Sequence, residues 1–111
     1  IYGTGQQTRN FSYVLDVVKG TLLAASNPDS HGKTINISSD KECTVLEVAE
    51  TLIRITNSKS QLVNLPPIRG DPISNPADIS LSRSILNYQP QYSLQNGLQK
   101  TVDYYLSKAD S

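Results

Sequence analysis

Two arginines, one aspartate and a Tyr/Lys pair are the residues of this chain whose types and spacing could do chemistry. Arg9 stands between a polar Gly/Gln-rich stretch and Phe11, where its guanidinium could project from a strand end. Arg69 lies in a segment that holds four prolines between residues 66 and 78, and Gly70 and Asp71 follow it at once. A guanidinium presents paired N–H donors that match phosphate oxygens. Glycine lets backbone approach a ligand closely, and the Asp71 carboxylate can accept hydrogen bonds from sugar hydroxyls. These types suit a phosphorylated, hydroxyl-rich ligand. The same arginines also serve as plain surface charges, which is the commoner use of the residue.

The remaining candidates are poorer. Tyr104-x-x-x-Lys108 places a phenol and an ammonium one helical turn apart, the spacing by which a cation lowers a phenol's pKa for proton transfer. It falls on the final amphipathic helix, so a packed Tyr and a solvated Lys are expected. Gly3-x-Gly5 has neither the third glycine nor the strand–turn–helix setting of a dinucleotide cradle and reads as a flexible turn. His31 lies in a turn and is the chain's one histidine, which excludes an internal Ser/His/Asp triad or a His-based metal site. Cys43 is also alone; a half-buried structural thiol beside a helix cap is expected, in keeping with a reducing cytoplasmic setting. By elimination the chain lacks a complete catalytic apparatus: no catalytic, cofactor-binding or metal-binding residue is assigned.

The elements that must position these groups follow from periodicity. Residues 8–12 read as a short strand, and a helix is expected from about Tyr13 with Val14, Val17, Val18, Leu22 and Ala25 on its buried face. Residues 27–32 form a turn, with Pro28 barring helix continuation. Residues 34–38 alternate Thr-Ile-Asn-Ile-Ser and predict a strand. Thr44 and Glu47 form a capping box for a helix to about Thr56 that buries Val48, Leu52 and Ile55. A second strand is expected over 60–65, then an irregular Pro-rich loop over 66–78. Ser80 or Ser82 should cap a short helix to about Leu86. Ser93 should cap the last helix, which sets Leu94, Leu98, Val102 and Tyr105 on one face. The class is α/β, with three or four helices around a few short strands.

Composition bounds the rest. At 111 residues the chain is one small domain, and 37% hydrophobic content is low for a self-sufficient globule. Ten basic and ten acidic residues cancel, so no bulk field would gather nucleic acid or anionic lipid. No run of 18 or more apolar residues and no leader pattern is present, so no membrane partner is expected. The chain contains no methionine, which points to a processed product or a piece of a longer chain.

Taken together, the segments resemble one known family. Gly3-Thr-Gly-Gln-Gln-Thr-Arg-Asn-Phe-Ser-Tyr-Val and the Asp16-Val-Val that follows are similar to the GxGxQTRDFxYVxDVV block of extended short-chain dehydrogenases, the NAD-dependent epimerase/dehydratase family. Gly32-Lys-Thr-Ile-Asn-Ile-Ser resembles its GxxYNIG strand, and Thr44-Val-Leu-Glu-Val its TVxEL helix start. Gly70-Asp-Pro and Ala77-Asp-Ile-Ser match GDVxxxxADIS, and residues 93–105 resemble the closing SLEEGLxxTxxYY helix. The likeness runs through nearly the whole chain in the right order.

The resemblance implies that residues 1–111 are the C-terminal, nucleotide-sugar-binding domain of such an enzyme, with the Rossmann half and its NAD absent. It implies a UDP-sugar 4-epimerase, with UDP-glucuronate decarboxylase, dTDP-glucose 4,6-dehydratase or a non-catalytic interaction module as alternatives. By the same resemblance Arg9 would hold the nucleotide diphosphate and Asp71 the ribose or nearby polar groups. The expected partners are the UDP-sugar, the Rossmann domain of the parent chain and a second parent subunit. There are three departures. Asn10 stands where the family has Asp. The second phosphate-binding Arg falls on Ile68, which leaves Arg69 displaced by one residue. Asn75 occupies the place where decarboxylases carry an Arg.

Overall fold

In a computed structural model, residues 1–109 are described. Two-residue strand β1 (Thr8–Arg9) leads into helix α1 (Val14–Ser26) and a 3-10 turn at Pro28–Ser30. An extended stretch then reaches strand β2 (Cys43–Thr44), helix α2 (Val45–Thr56), the Pro-rich loop, helix α3 (Ser80–Leu86) and helix α4 (Leu94–Ala109). Strands β1 and β2 pair antiparallel, Thr8 opposite Thr44 and Arg9 opposite Cys43.

The clearest local signal, the capping box, is present in full. Thr44 Oγ1 accepts from the Glu47 amide at 3.0 Å, and a Glu47 carboxylate oxygen accepts from the Thr44 amide at 2.6 Å. Helix α2 ends at Asn57, whose left-handed φ of 49° a short amide side chain tolerates. It packs on α4; Val48, Leu52 and Ile55 are half-buried, Thr51 is buried, and Leu94, Leu98 and Val102 of α4 are half-buried. Tyr105 continues that stripe but is 68% exposed. Ser93 caps α4 as expected, its hydroxyl accepting from the Asn96 amide at 3.2 Å. Helix α3 departs from expectation. Ile79 occupies its cap position, and Asp78 Oδ1, rather than a serine, takes the Ser80 amide at 2.9 Å. Ser82 is fully buried and its hydroxyl donates to the Ile79 carbonyl at 2.8 Å.

Two strand expectations fail. Residues 34–38 are extended, yet no backbone–backbone hydrogen bond involves them among the described residues. The alternation is real and faces Ile35 and Ile37 toward the core, but a strand also needs a ladder partner, and none lies alongside. Residues 60–65 reduce to one parallel bridge, Leu65 with Tyr2, closed by Leu65 N–H to the Ile1 carbonyl (2.7 Å) and Gly3 N–H to the Leu65 carbonyl (2.9 Å).

The face of α1 is also corrected. Val14, Val17, Val18 and Leu22 are 37–64% exposed and Ala25 is exposed. The inward face carries Asp16, Gly20, Leu23 and Ala24 instead. A helix apolar around most of its circumference satisfies more than one periodic pattern, so periodicity could not choose between its faces. The small core is Ile79, Leu86 and Tyr88, flanked by Leu23, Ala24, Ile35, Ile37 and Ile85. The chain is a slab of 49 × 39 × 19 Å with a radius of gyration of 16.5 Å, against about 13 Å for a compact domain of this length. The slab is thin enough that most large apolar side chains reach a surface, which accounts for the small core.

Candidate functional site

Arg9 and Asp71, 62 residues apart in sequence, form an ion pair between Arg9 Nη2 and Asp71 Oδ1. Arg9 Nη1 also donates to the Thr8 carbonyl at 2.6 Å and the Pro72 carbonyl at 2.8 Å. Thr8 N–H donates to the Ile73 carbonyl at 2.7 Å, so β1 and the Pro-rich loop are joined side by side. Both paired side chains keep about a third of their surface in solvent, 29% for Arg9 and 31% for Asp71. Asp71 lines a cleft of about 500 Å³ between the N-terminal segment and the loop, with Tyr2, Gly3, Gln7, Leu65 and Ile68 around it.

Arg69 is not brought to this pair. Residues 68–71 make a turn closed by Asp71 N–H to the Ile68 carbonyl at 3.2 Å, with Gly70 at φ +84°. That is the geometry of a type II turn, in which Gly at the third position supplies the positive φ. Gly70 therefore serves the turn, and a Cβ there would meet nothing within 4 Å. Arg69 sits at the exposed corner with no ionic partner among the described residues.

Glu42 joins the same region. Its Oε1 accepts from Thr8 Oγ1 at 2.7 Å and from Ser74 Oγ at 2.9 Å. The Thr8 hydrogen bond first, then that of Ser74, holds its carboxyl below the usual carboxylate range. Asn10 uses both halves of its amide, donating to the Ser39 carbonyl at 3.0 Å and accepting from the Ala77 amide at 2.9 Å. An aspartate could not make the first of these bonds. Asp16, only 3% exposed, accepts from the Gln91 amide at 2.9 Å and the Tyr92 amide at 3.1 Å, which ties α1 to the approach to α4. Sequence reasoning gave no role to Glu42 or Asp16. The available signal for Asp16 was a lone carboxylate inside the apolar run Val14-Leu-Asp-Val-Val18.

The other candidates resolve simply. Gly5 and Gln7 carbonyls accept from the Leu46 amide (3.0 Å) and the Val45 amide (3.1 Å), so the Gly3-x-Gly5 turn is fixed against the start of α2. The first two N–H groups of α2 and the Gly3 N–H, which donates to the Leu65 carbonyl, are thereby taken. Lys108 Nζ lies 5.8 Å from the Tyr104 ring centroid on the exposed face of α4, a cation–π contact at the surface. His31 is exposed. Cys43 is half-buried, and burial pushes its thiol pKa up, as for an unreactive cysteine. Among the described residues no group of three or more His, Cys, Asp or Glu could hold a metal, and no helix is long and apolar enough to cross a membrane.

A second cleft of about 430 Å³ lies between Phe11–Val14 and α4, with Tyr13 and Tyr92 rings 4.6 Å apart at one wall. It is rich in aromatic surface and lies apart from the Arg9–Asp71 pair.

Known proteins bear on this geometry. Residues 1–38 match the NAD dependent epimerase/dehydratase family. An uncharacterised UDP-glucose epimerase of Bacillus subtilis is 36% identical over 107 residues, covering 96% of this chain and 34% of that protein. UDP-glucuronic acid decarboxylase 1 of Danio rerio is also 36% identical, over 95% of this chain and 25% of that protein. UDP-glucose 4-epimerase of Thermotoga maritima, solved with UDP-glucose, superposes with a TM-score of 0.90 at 31% identity, over 98% of this chain and 35% of that one. UDP-glucuronic acid 4-epimerase of Bacillus cereus, solved with UDP-glucuronic acid and NAD, gives 0.88 at 32% identity, over 97% of this chain and 35% of that one. The chain thus spans a quarter to about a third of the length of these relatives and matches the C-terminal part of such epimerases.

Proposed function

From a chain that corresponds to the C-terminal part of NAD-dependent epimerase/dehydratase family members, we propose that residues 1–111 are the substrate-binding portion of a UDP-hexose 4-epimerase and are not catalytic by themselves. The observation that carries this reading is the meeting of Arg9 with Asp71, which itself lines the cleft beside Tyr2 and Leu65. In the proposal the outward N–H groups of Arg9 hold the nucleotide diphosphate and Asp71 accepts from ribose hydroxyls or nearby polar groups. Arg69 adds positive charge from the turn corner and closes on the phosphates only if the loop adjusts.

The dinucleotide does not fit this chain's own residues. The Gly3 N–H donates to the Leu65 carbonyl, the Gly5 carbonyl is committed to α2 and a strand follows the turn, so NAD is assigned to segments outside residues 1–111. The partner in the proposal is the Rossmann portion of the same enzyme, in a cytoplasmic, dimeric parent. Two features support it: the exposed apolar face of α1 and the extended, unpaired residues 34–37, which offer a free backbone edge to a sheet. UDP-glucuronate decarboxylase is the second reading, favoured by the equal 36% identity to the Danio rerio enzyme. Asn75, standing where the resemblance puts a decarboxylase arginine, weighs toward the epimerase.

Titration of the isotope-labelled chain with UDP tests the reading. Amide resonances of residues 8–10 and 68–74 should shift. Arg9→Ala should weaken binding by about 10- to 100-fold, the worth of a charged hydrogen bond of roughly 1.5–3 kcal/mol. Unchanged affinity in Arg9→Ala would remove Arg9 from the site.

A further inference from the structure

We propose that Glu42 is a positioning residue of the nucleotide-binding edge: its carboxylate fixes β1 against the Pro-rich loop and so presents Arg9 and Asp71 together. The inference rests on the nucleotide-sugar reading of that edge and assigns a part to a residue outside it.

The loop over 66–78 contributes no buried side chain, so packing does not hold it in place. Its far end is tied by Asn10 to the Ala77 amide and by Asn36 to the Asp78 carbonyl. Its near end is held by a short series of polar contacts to β1: the Asp71 carboxylate and the Pro72 carbonyl to Arg9, the Ile73 carbonyl to the Thr8 amide, then Ser74 through Glu42. Glu42 is the one member of the series that belongs to neither strand nor loop. It immediately precedes β2, whose Cys43 and Thr44 pair with Arg9 and Thr8. A single carboxylate oxygen thus gathers hydroxyls from residues 34 and 32 positions away. Glu42 is itself exposed, and it ties the two segments together at the surface through these two bonds. Each bond has an ionised acceptor, the stronger kind of hydrogen bond.

Charge and position make opposite predictions, so the role can be isolated. A negative group near Arg9 repels a diphosphate, and by charge alone its removal would tighten binding. If Glu42 acts through geometry, its removal loosens binding, and only while Arg9 is present to be positioned.

UDP affinity of the full chain, measured by NMR titration, decides between these. Glu42→Ala should weaken UDP binding about five- to tenfold with the far-UV circular dichroism spectrum unchanged. Glu42→Gln, which removes the charge but keeps an oxygen able to accept from both hydroxyls, should bind UDP no more weakly than wild type. The pair Thr8→Val with Ser74→Ala, which keeps the carboxylate but removes its donors, should give the same loss as Glu42→Ala. Adding Glu42→Ala to that pair, or to Arg9→Ala, should cost nothing further. Tighter binding by Glu42→Ala, or an equal loss in the Arg9→Ala background, overturns the proposal. Wild-type chain that binds no UDP overturns the nucleotide reading and this inference with it. Binding by wild type and Glu42→Ala alike overturns the inference alone.

Discussion

Replacing Gly20 with alanine should destabilise the chain, although the same change in most helices does the reverse. Gly20 lies in the interior of α1, where alanine is favoured over glycine by about 1 kcal/mol. A Cβ built there would lie 2.5 Å from Ile37 Cγ2, 2.9 Å from Cδ1 and 3.2 Å from Cγ1. Both branches of the side chain are met, so Ile37 as a whole must shift to admit the methyl group. Ile37 packs against the small core, and forcing it outward is an overpacking event of about 1–3 kcal/mol. The net is a loss of about 0–2 kcal/mol. Ile37→Ala, at a half-buried site, should itself cost about 1–2 kcal/mol. In that background the obstacle is gone, and Gly20→Ala should stabilise by about 1 kcal/mol. The four proteins of this cycle can be compared by urea denaturation followed at 222 nm, reading midpoints at constant slope. A gain in stability for Gly20→Ala in the parent chain, or an identical effect in both backgrounds, would refute the close approach of α1 to residues 34–38.

Asp16→Asn should lower stability by about 1–2 kcal/mol in the same assay, because the two amides of Gln91 and Tyr92 donate to different oxygens of Asp16 and an Asn side chain would turn an NH2 group toward one of them. Asn10→Asp should cost about 1–2 kcal/mol, since the Ser39 carbonyl loses its donor and meets a carboxylate instead; a neutral result would count against the Asn10 bridge. Glu42 binds its proton less tightly in the folded chain than in the unfolded one. Its contribution is therefore present above the ordinary glutamate range and is lost as pH falls through that range and below. A urea midpoint that drops on acidification should drop less in Glu42→Gln, and parallel profiles would exclude this contribution.

What was legible in the sequence was local. The Thr44/Glu47 capping box, Ser93 as a cap and the Pro-rich loop all rest on residues within a turn or two of one another. What was not legible needed a partner distant in the chain. The alternation of residues 34–38 reports which way side chains point and says nothing of a neighbouring strand. The pairing of Cys43 and Thr44 with Arg9 and Thr8 spans more than thirty residues and has no local signature. In α1 the apolar positions outnumber those one face can use, and the inward side is decided by Asp16 and Gly20, neither of them apolar markers. At the candidate site, Arg9 and Asp71 were named from residue type and resemblance, and the loop geometry that joins them could not be. Gly70 was read as making room for a ligand, whereas the turn itself requires it.

The open backbone of residues 34–37 carries a consequence for which sequences this piece of chain tolerates. Where backbone joins a sheet through peptide groups, the seam is indifferent to the identity of its outward side chains, so Thr34 is free to vary without altering it, whereas Asn36 is held to its type by its bond to the Asp78 carbonyl. The constraint passes to the layer behind: Gly20 admits no larger residue while Ile37 faces it, and Ile37 cannot turn away without opening the core at Tyr88. Sequence drift should therefore be wider at Thr34 than at Gly20 of the helix that backs this edge.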